Sequence, residues 1–246
     1  MARLHVHELG DPGGEPLVCL HGVTGHGRRF ERLAARLPGR RLIAPDLRGH
    51  GRSTYDPPWT TERLALDVLE TVPDEPLDWL GFSFGGRIAA QVAAIAPERV
   101  RRLVLLDPAL TVDAAEAAER ADGARETETY ADADDVATQT LAEGTLFRTP
   151  HEVLADDARE HGVTGPDGRL TLRFSPAMTV TAWSEMARDP PPVADVPTLV
   201  VTGNRSWLPV DVGRLAPARH VVVAGGHPVM WEDPDAVAAA VAGFLP

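Results

Sequence analysis

Ser83 stands in the run Leu80-Gly81-Phe82-Ser83-Phe84-Gly85-Gly86, which has the spacing G-x-S-x-G. An apolar stretch precedes it and the helix-forming run Arg87–Ala96 follows. That context, strand then turn then helix, is what the motif requires for a nucleophilic serine. A sharp strand-to-helix turn crowds the backbone, so glycine is needed on both sides of the serine. The turn lifts the hydroxyl above the sheet edge and sets it at a helix N-terminus, where the dipole favours developing negative charge. Alternatively, the run is a Gly-rich turn without chemistry; the flanking strand and helix favour the first interpretation.

Serine is a poor nucleophile until an imidazole takes its proton. Of nine histidines, His227 has the best setting. It follows the apolar run Val221–Ala224 directly, in Gly225-Gly226-His227-Pro228, and precedes Trp231-Glu232-Asp233-Pro234, which opens a last helix. His5, His7, His26, His151, His161 and His220 have no comparable setting. A tetrahedral oxyanion needs two backbone N–H groups aimed at one point. Phe84, next after the serine, is one candidate. Val23, in the loop His21-Gly22-Val23-Thr24-Gly25, is the other, and His21 is expected to brace that loop.

These residues need a scaffold, and the apolar pattern describes one. Short apolar runs alternate with longer amphipathic ones, as in βαβ units with a parallel sheet. Strands are expected at about 2–8, 17–21, 41–45, 77–82, 101–106, 198–203 and 219–224. Helices fit at about 27–37, 60–72, 84–96, 208–216 and 234–244. From 110 to 192 no strand is evident. Helical segments at 112–121, 132–143 and 150–160 lead to a turn at Gly165–Gly168 and then to Pro190-Pro191-Pro192, a stiff exit. The expected division is a core of 1–109 and 193–246 with a helical cap at 110–192.

Taken together, His21-Gly22, Asp46-Leu47-Arg48-Gly49-His50-Gly51-Arg52-Ser53, Gly81–Gly86, and Gly226-His227 with Glu232-Asp233-Pro234 resemble the α/β-hydrolase superfamily over nearly the whole chain. The resemblance implies an α/β fold: a mostly parallel twisted sheet, helices on both faces and an inserted helical cap. It also implies that Asp46–Ser53 is a structural loop. Most relatives carry the acid that orients the histidine as Gly-x-x-Asp after the strand matching 198–203. This chain reads Gly203-Asn204-Arg205-Ser206 there. A minority takes the acid from the end of the preceding strand, which here ends Leu105-Leu106-Asp107-Pro108, so Asp107 is the candidate. It keeps the order Ser, Asp, His. Asp211, expected inside a helix, is the reserve, and a site without an acid is the third possibility. Arg87 in Ser-Phe-Gly-Gly-Arg resembles the menaquinone-pathway synthase branch, where a matching arginine binds substrate; it could equally face solvent.

The resemblance and the motifs imply a serine hydrolase cleaving a small carboxylic ester, lactone or thioester through an acyl-enzyme. A carbon–carbon bond hydrolase or menaquinone-type lyase is the second possibility, and a non-catalytic ligand receptor or degenerate hydrolase the third. The serine argues against haloalkane dehalogenase or epoxide hydrolase chemistry, which in this superfamily uses Asp. Phe82 and Phe84 flank the nucleophile. Phe147, Phe174, Met178, Trp183 and Met186 are cap candidates for an apolar lining, and Trp207 and Trp231 lie near the same end. No cofactor or metal is expected, because no His/Cys/Asp cluster has ligand spacing.

Bulk properties bound the remaining classes. At 246 residues and 43% hydrophobic, the chain can bury one large core. The net charge of -12 argues against nucleic acid as partner. Residues 111–160 hold 14 acidic residues against four arginines, expected as a solvated helical surface. All basic residues are arginine, a compositional association with GC-rich bacterial coding. No apolar stretch is long enough for a membrane span, and no secretory signal opens the chain. Cys19, the lone cysteine, is expected as a buried packing residue. A cytoplasmic protein acting on a small molecule with an apolar part fits these features.

Overall fold

A computed structural model describes residues 4–192, 194–215 and 218–246. Seven strands form one sheet: β1 (Val6–Gly10), β2 (Glu15–Leu20), β3 (Arg40–Pro45), β4 (Leu77–Phe82), β5 (Val100–Leu106), β8 (Thr198–Gly203) and β9 (Ala218–Val223). Their spatial order is β1-β3-β2-β4-β5-β8-β9. β1 is antiparallel to β3 and every other pairing is parallel.

Helices cover both faces. On one lie α2 (Thr61–Thr71) and α3 (Phe84–Ile95); on the other lie α1 (Glu31–Ala34) and α9 (Pro234–Ala242). Successive strand residues therefore enter opposite cores. Val18, Leu20, Trp79, Leu103 and Val200 pack on the first face, and Leu17, Cys19, Leu80, Val104 and Val201 on the second. This is why the central strands read as continuous apolar runs and not as alternating ones. Cys19 is fully buried and its burial pushes the thiol pKa up, as a packing residue requires.

Between β5 and β8 the chain leaves the sheet. This insert carries α4 (Ala114–Gly123), α5 (Ala133–Ala142), α6 (His151–His161) and α7 (Pro176–Met186), with α8 (Val229–Glu232) lying later, beyond β9. Side chains cap several N-termini: Asp113 accepts from Ala115 and Glu116, Asp132 from Asp135, and Ser175 from Met178 with Pro176 in the first turn. Three expectations need correction here. A hairpin, β6 (Gly162–Thr164) and β7 (Leu170–Leu172), closes around the Gly165–Gly168 turn; three residues per strand are too few to show a period. Helix α7 lies outside the three helical segments expected for this stretch, and its Thr179-Val180-Thr181 run is β-branched. Met178, Ala182 and Met186 recur at four-residue spacing and their burial holds it helical. In place of a helix at 208–216 the described residues form one 3₁₀ turn, Val212–Leu215, and Asp211 precedes it. No helix among the described residues is long and apolar enough to cross a membrane.

Candidate active site

Ser83 joins β4 to α3 with φ of 55°, a left-handed conformation rare outside glycine. The surroundings hold it there. A Cβ on Gly81 would come within 2.3 Å of the Gly85 carbonyl oxygen, and one on Gly85 within 2.1 Å of the Leu20 oxygen. The two glycines of the motif are thus needed for close backbone packing. Ser83 N–H donates to Leu106 O, and its own carbonyl accepts from Gly86 N–H and Ala109 N–H.

The Ser83 hydroxyl lies 2.9 Å from His227 Nε2, and His227 Nδ1 lies 2.6 Å from Asp107 Oδ2. Residues separated by 144 and 120 positions therefore meet in one hydrogen-bonded chain. β4, β5, β8 and β9 place them, because their C-terminal ends open onto one edge of the sheet. Asp107 is fully buried and has φ of 40°, just past the end of β5. The imidazole stacks on Phe82, with ring centroids 4.9 Å apart, and meets Trp207 edge-on at 6.0 Å. With Nδ1–H donating to Asp107, the tautomer leaves Nε2 free to accept the serine proton.

The loop after β2 abuts the serine. A Cβ on Gly22 would lie 2.9 Å from Ser83 Cβ. His21 braces this loop as expected: Nδ1–H donates to Gly22 O, and Nε2 accepts from Leu47 N–H. His50 Nε2 accepts from Thr24 N–H. Both rings act as acceptors and are neutral, since burial depresses their pKa, that of His50 to about 4. Val23 follows Gly22 on this loop and lines the same cavity as Ser83, and Phe84 is the first residue of α3.

A cavity of about 480 Å³ lies over Ser83 and His227. Its apolar walls include Val23, Phe82, Phe174, Trp183, Trp207 and Trp231. Such a volume and lining are typical of a small-molecule site. Arg120 lies over the Trp207 ring at 4.1 Å. Glu126, Glu128 and Glu143, all exposed to solvent, also line the cavity. Burial, and then Glu128, push the Glu143 pKa up.

Comparison with known proteins agrees with this fold. The sequence profile of the family described as "alpha/beta hydrolase fold" matches residues 15–234. The chain belongs to the α/β-hydrolase family. Lipase LipV of Mycobacterium tuberculosis is 39% identical over 202 residues, which are 80% of this chain and 77% of that protein. A pimeloyl-[acyl-carrier protein] methyl ester esterase of Pectobacterium carotovorum is 40% identical over 105 residues, 42% of this chain and 40% of that one. Among solved structures, E-2-(acetamidomethylene)succinate hydrolase superposes with a TM-score of 0.83 at 25% identity, covering 98% of this chain and 94% of that one. The protein is a hydrolase with lipase and esterase relatives.

In this α/β hydrolase two residues expected at the substrate lie elsewhere. Arg87 is buried and does not line the cavity; it donates to Leu110 O, Asp189 O at 2.8 Å and Thr61 Oγ1 at 3.3 Å. One helical turn past the serine it points at the two ends of the insert, which local spacing could not reveal. Phe147 is exposed, with the Arg205 guanidinium 3.6 Å from its ring centroid, and is not part of the lining. Met178 and Met186 pack in the core. Glu232, which the sequence marks only as part of the run opening the last helix, has a bracing role. Its buried carboxylate accepts from Gly226 N–H, Phe147 N–H and the Thr149 hydroxyl, tying the His227 loop to the insert. The fold also brings His5, His7 and Asp46 together, their ligand atoms within 4.8 Å, which spacing did not suggest. The Asp46 carboxylate there is already committed to His7 and to the backbone of Gly27 and Arg52.

Proposed function

We propose that this hydrolase cleaves small carboxylic esters, lactones or thioesters with an apolar part, through an acyl-enzyme on Ser83. The carrying observation is the continuous hydrogen-bonded chain from Ser83 through His227 to Asp107 beneath an apolar cavity. In this scheme His227 takes the Ser83 proton as the hydroxyl attacks the carbonyl carbon. The backbone N–H groups of Val23 and Phe84 hold the oxyanion. His227 then gives the proton to the leaving oxygen or sulfur. Water, deprotonated by His227, next attacks the acyl carbon, and the acid product leaves with Ser83 restored. Asp107 stays ionised and stabilises the imidazolium.

Residues 110–192 act in this scheme as a cap over a core formed by 1–109 and 193–246. Phe82, Trp183 and Trp231 supply the apolar wall, whose size suits short and medium acyl chains better than long ones. The lipase and esterase names of the relatives support ester chemistry. The lyase alternative drew its residue-level support from Arg87, and that guanidinium contacts the insert ends. The receptor alternative drew its support from the missing acid at 206.

A fluorophosphonate probe tests the proposal. It is expected to label the wild type and not Ser83→Ala. Absence of label on the wild type would overturn the serine mechanism. Hydrolysis of p-nitrophenyl esters of graded length is expected to peak at short or medium chains, and a steady rise toward long chains would contradict the cavity assignment.

A further inference from the structure

Ser206 occupies the place from which most of the family supplies its acid, and in this protein it touches the acid delivered from elsewhere. Its hydroxyl donates to Asp107 Oδ2 at 2.5 Å. The same oxygen receives His227 Nδ1–H at 2.6 Å, while Oδ1 receives Gly203 N–H at 3.2 Å. Leu208 N–H donates to Ser206 Oγ at 3.2 Å, which leaves the hydroxyl proton for Asp107. Ser206 N–H donates to Gly203 O and closes the turn after β8. β5 and β8 are neighbours, Leu106 pairing Val201, so this turn arrives beside Asp107 by sheet order alone. Ser206 is not part of the cavity lining.

We propose that Ser206 is a positioning residue for the hydrolytic site: by donating to the oxygen that faces His227, it holds the Asp107 carboxylate in register and limits the charge that carboxylate directs at the imidazole. The inference rests on the serine mechanism proposed above. Apart from Ser206, the buried Asp107 carboxylate has only His227 and Gly203 N–H as hydrogen-bond partners among the described residues. A hydroxyl bound to an ionised oxygen is among the stronger neutral donors, and it stabilises the charged form of the acid. Ser206 reaches neither Ser83 nor the cavity, so its side-chain contact with the site is the one to Asp107.

The test compares Ser206→Ala and Ser206→Thr with the wild type, using a soluble p-nitrophenyl ester. Ser206→Ala is expected to lose about tenfold in kcat, the size of one hydrogen bond to a charged group, with KM little changed. The acid limb of its kcat/KM profile moves to higher pH, because the unshared carboxylate charge holds the imidazolium more firmly. Ser206→Thr keeps a hydroxyl and restores both. The Nδ1 proton between His227 and Asp107 is also read in the free protein by low-field proton NMR, independently of substrate. Its resonance is expected to move in Ser206→Ala and return in Ser206→Thr. A Ser206→Ala protein with an unmoved resonance and an unmoved pH limb overturns the proposal, even if activity falls. Fluorophosphonate labelling of wild type separates this outcome from failure of the serine mechanism itself.

Discussion

Asp107 and Asp211 were the two acids that could serve His227, and at residue scale geometry separates them. Asp107 is buried within hydrogen-bond distance of the imidazole; Asp211 is exposed, ahead of a 3₁₀ turn. Under the proposed mechanism Asp107→Asn is expected to lower kcat by about 10⁴, through loss of the correct imidazole tautomer. Asp211→Asn is expected to stay within a factor of about two, as an exposed substitution outside the cavity lining. Steady-state hydrolysis of one ester by both variants decides this, and a large loss at 211 alone would move the acid there. Ser83 and His227 were legible because each has a local signature: a serine between two glycines, and a histidine just past a terminal strand. Asp107 could not be settled locally. An Asp at a strand end is common, and only knowledge of which strand ends adjoin selects one.

At the scale of elements, the insert is fastened to the nucleophile helix. Arg87, on α3, bonds Leu110 O where the insert leaves and Asp189 O where it returns, and Val112 N–H donates to Met186 O beside them. Arg87→Leu leaves the part-buried Leu110 and Asp189 carbonyls without this donor, so a loss of about 1–2 kcal/mol is expected. Thermal unfolding should show a lower Tm, while KM for carboxylate-bearing esters should change no more than KM for neutral ones. A selective rise in KM for the anionic esters would return Arg87 to a substrate role. The chain spacing puts α3 ahead of the segment 110–192 and gives no hint that the helix shares a side chain with both ends of that segment. Contacts over 23 and 102 residues belong to the folded topology.

Across the whole molecule, buried histidines link stability to pH. Burial depresses His21 well below the ordinary value, His50 to about 4 and His161 to about 2. Their unfolded counterparts titrate near 6.5, so below that pH the unfolded chain binds more protons than the folded one. The stability they contribute is fully present above pH 7 and is lost as pH falls through 6.5 toward 4. Asp46 and Asp157 are held below the usual carboxylate range, hydrogen bonds and Arg29 respectively outweighing the burial that raises them. Their contribution is lost only in a lower window. Tm is therefore expected to drop between pH 7.5 and 5, and an equal Tm at both values would contradict this. Because His21 and His50 brace the loop beside Ser83, activity and stability should decline together.

Sequence alone determined the parts whose information is local. Apolar runs bounded by turns specify the strands, G-x-S-x-G specifies a serine on a tight turn, and an unbroken apolar pattern specifies a sheet covered on both faces. Tertiary structure decided which of several acids reaches the imidazole, where Arg87 points, and that Ser206 shares an oxygen with His227. Those relations depend on sheet order and on how neighbouring strand ends align, and pairing between segments a hundred residues apart leaves no trace in the spacing of either one.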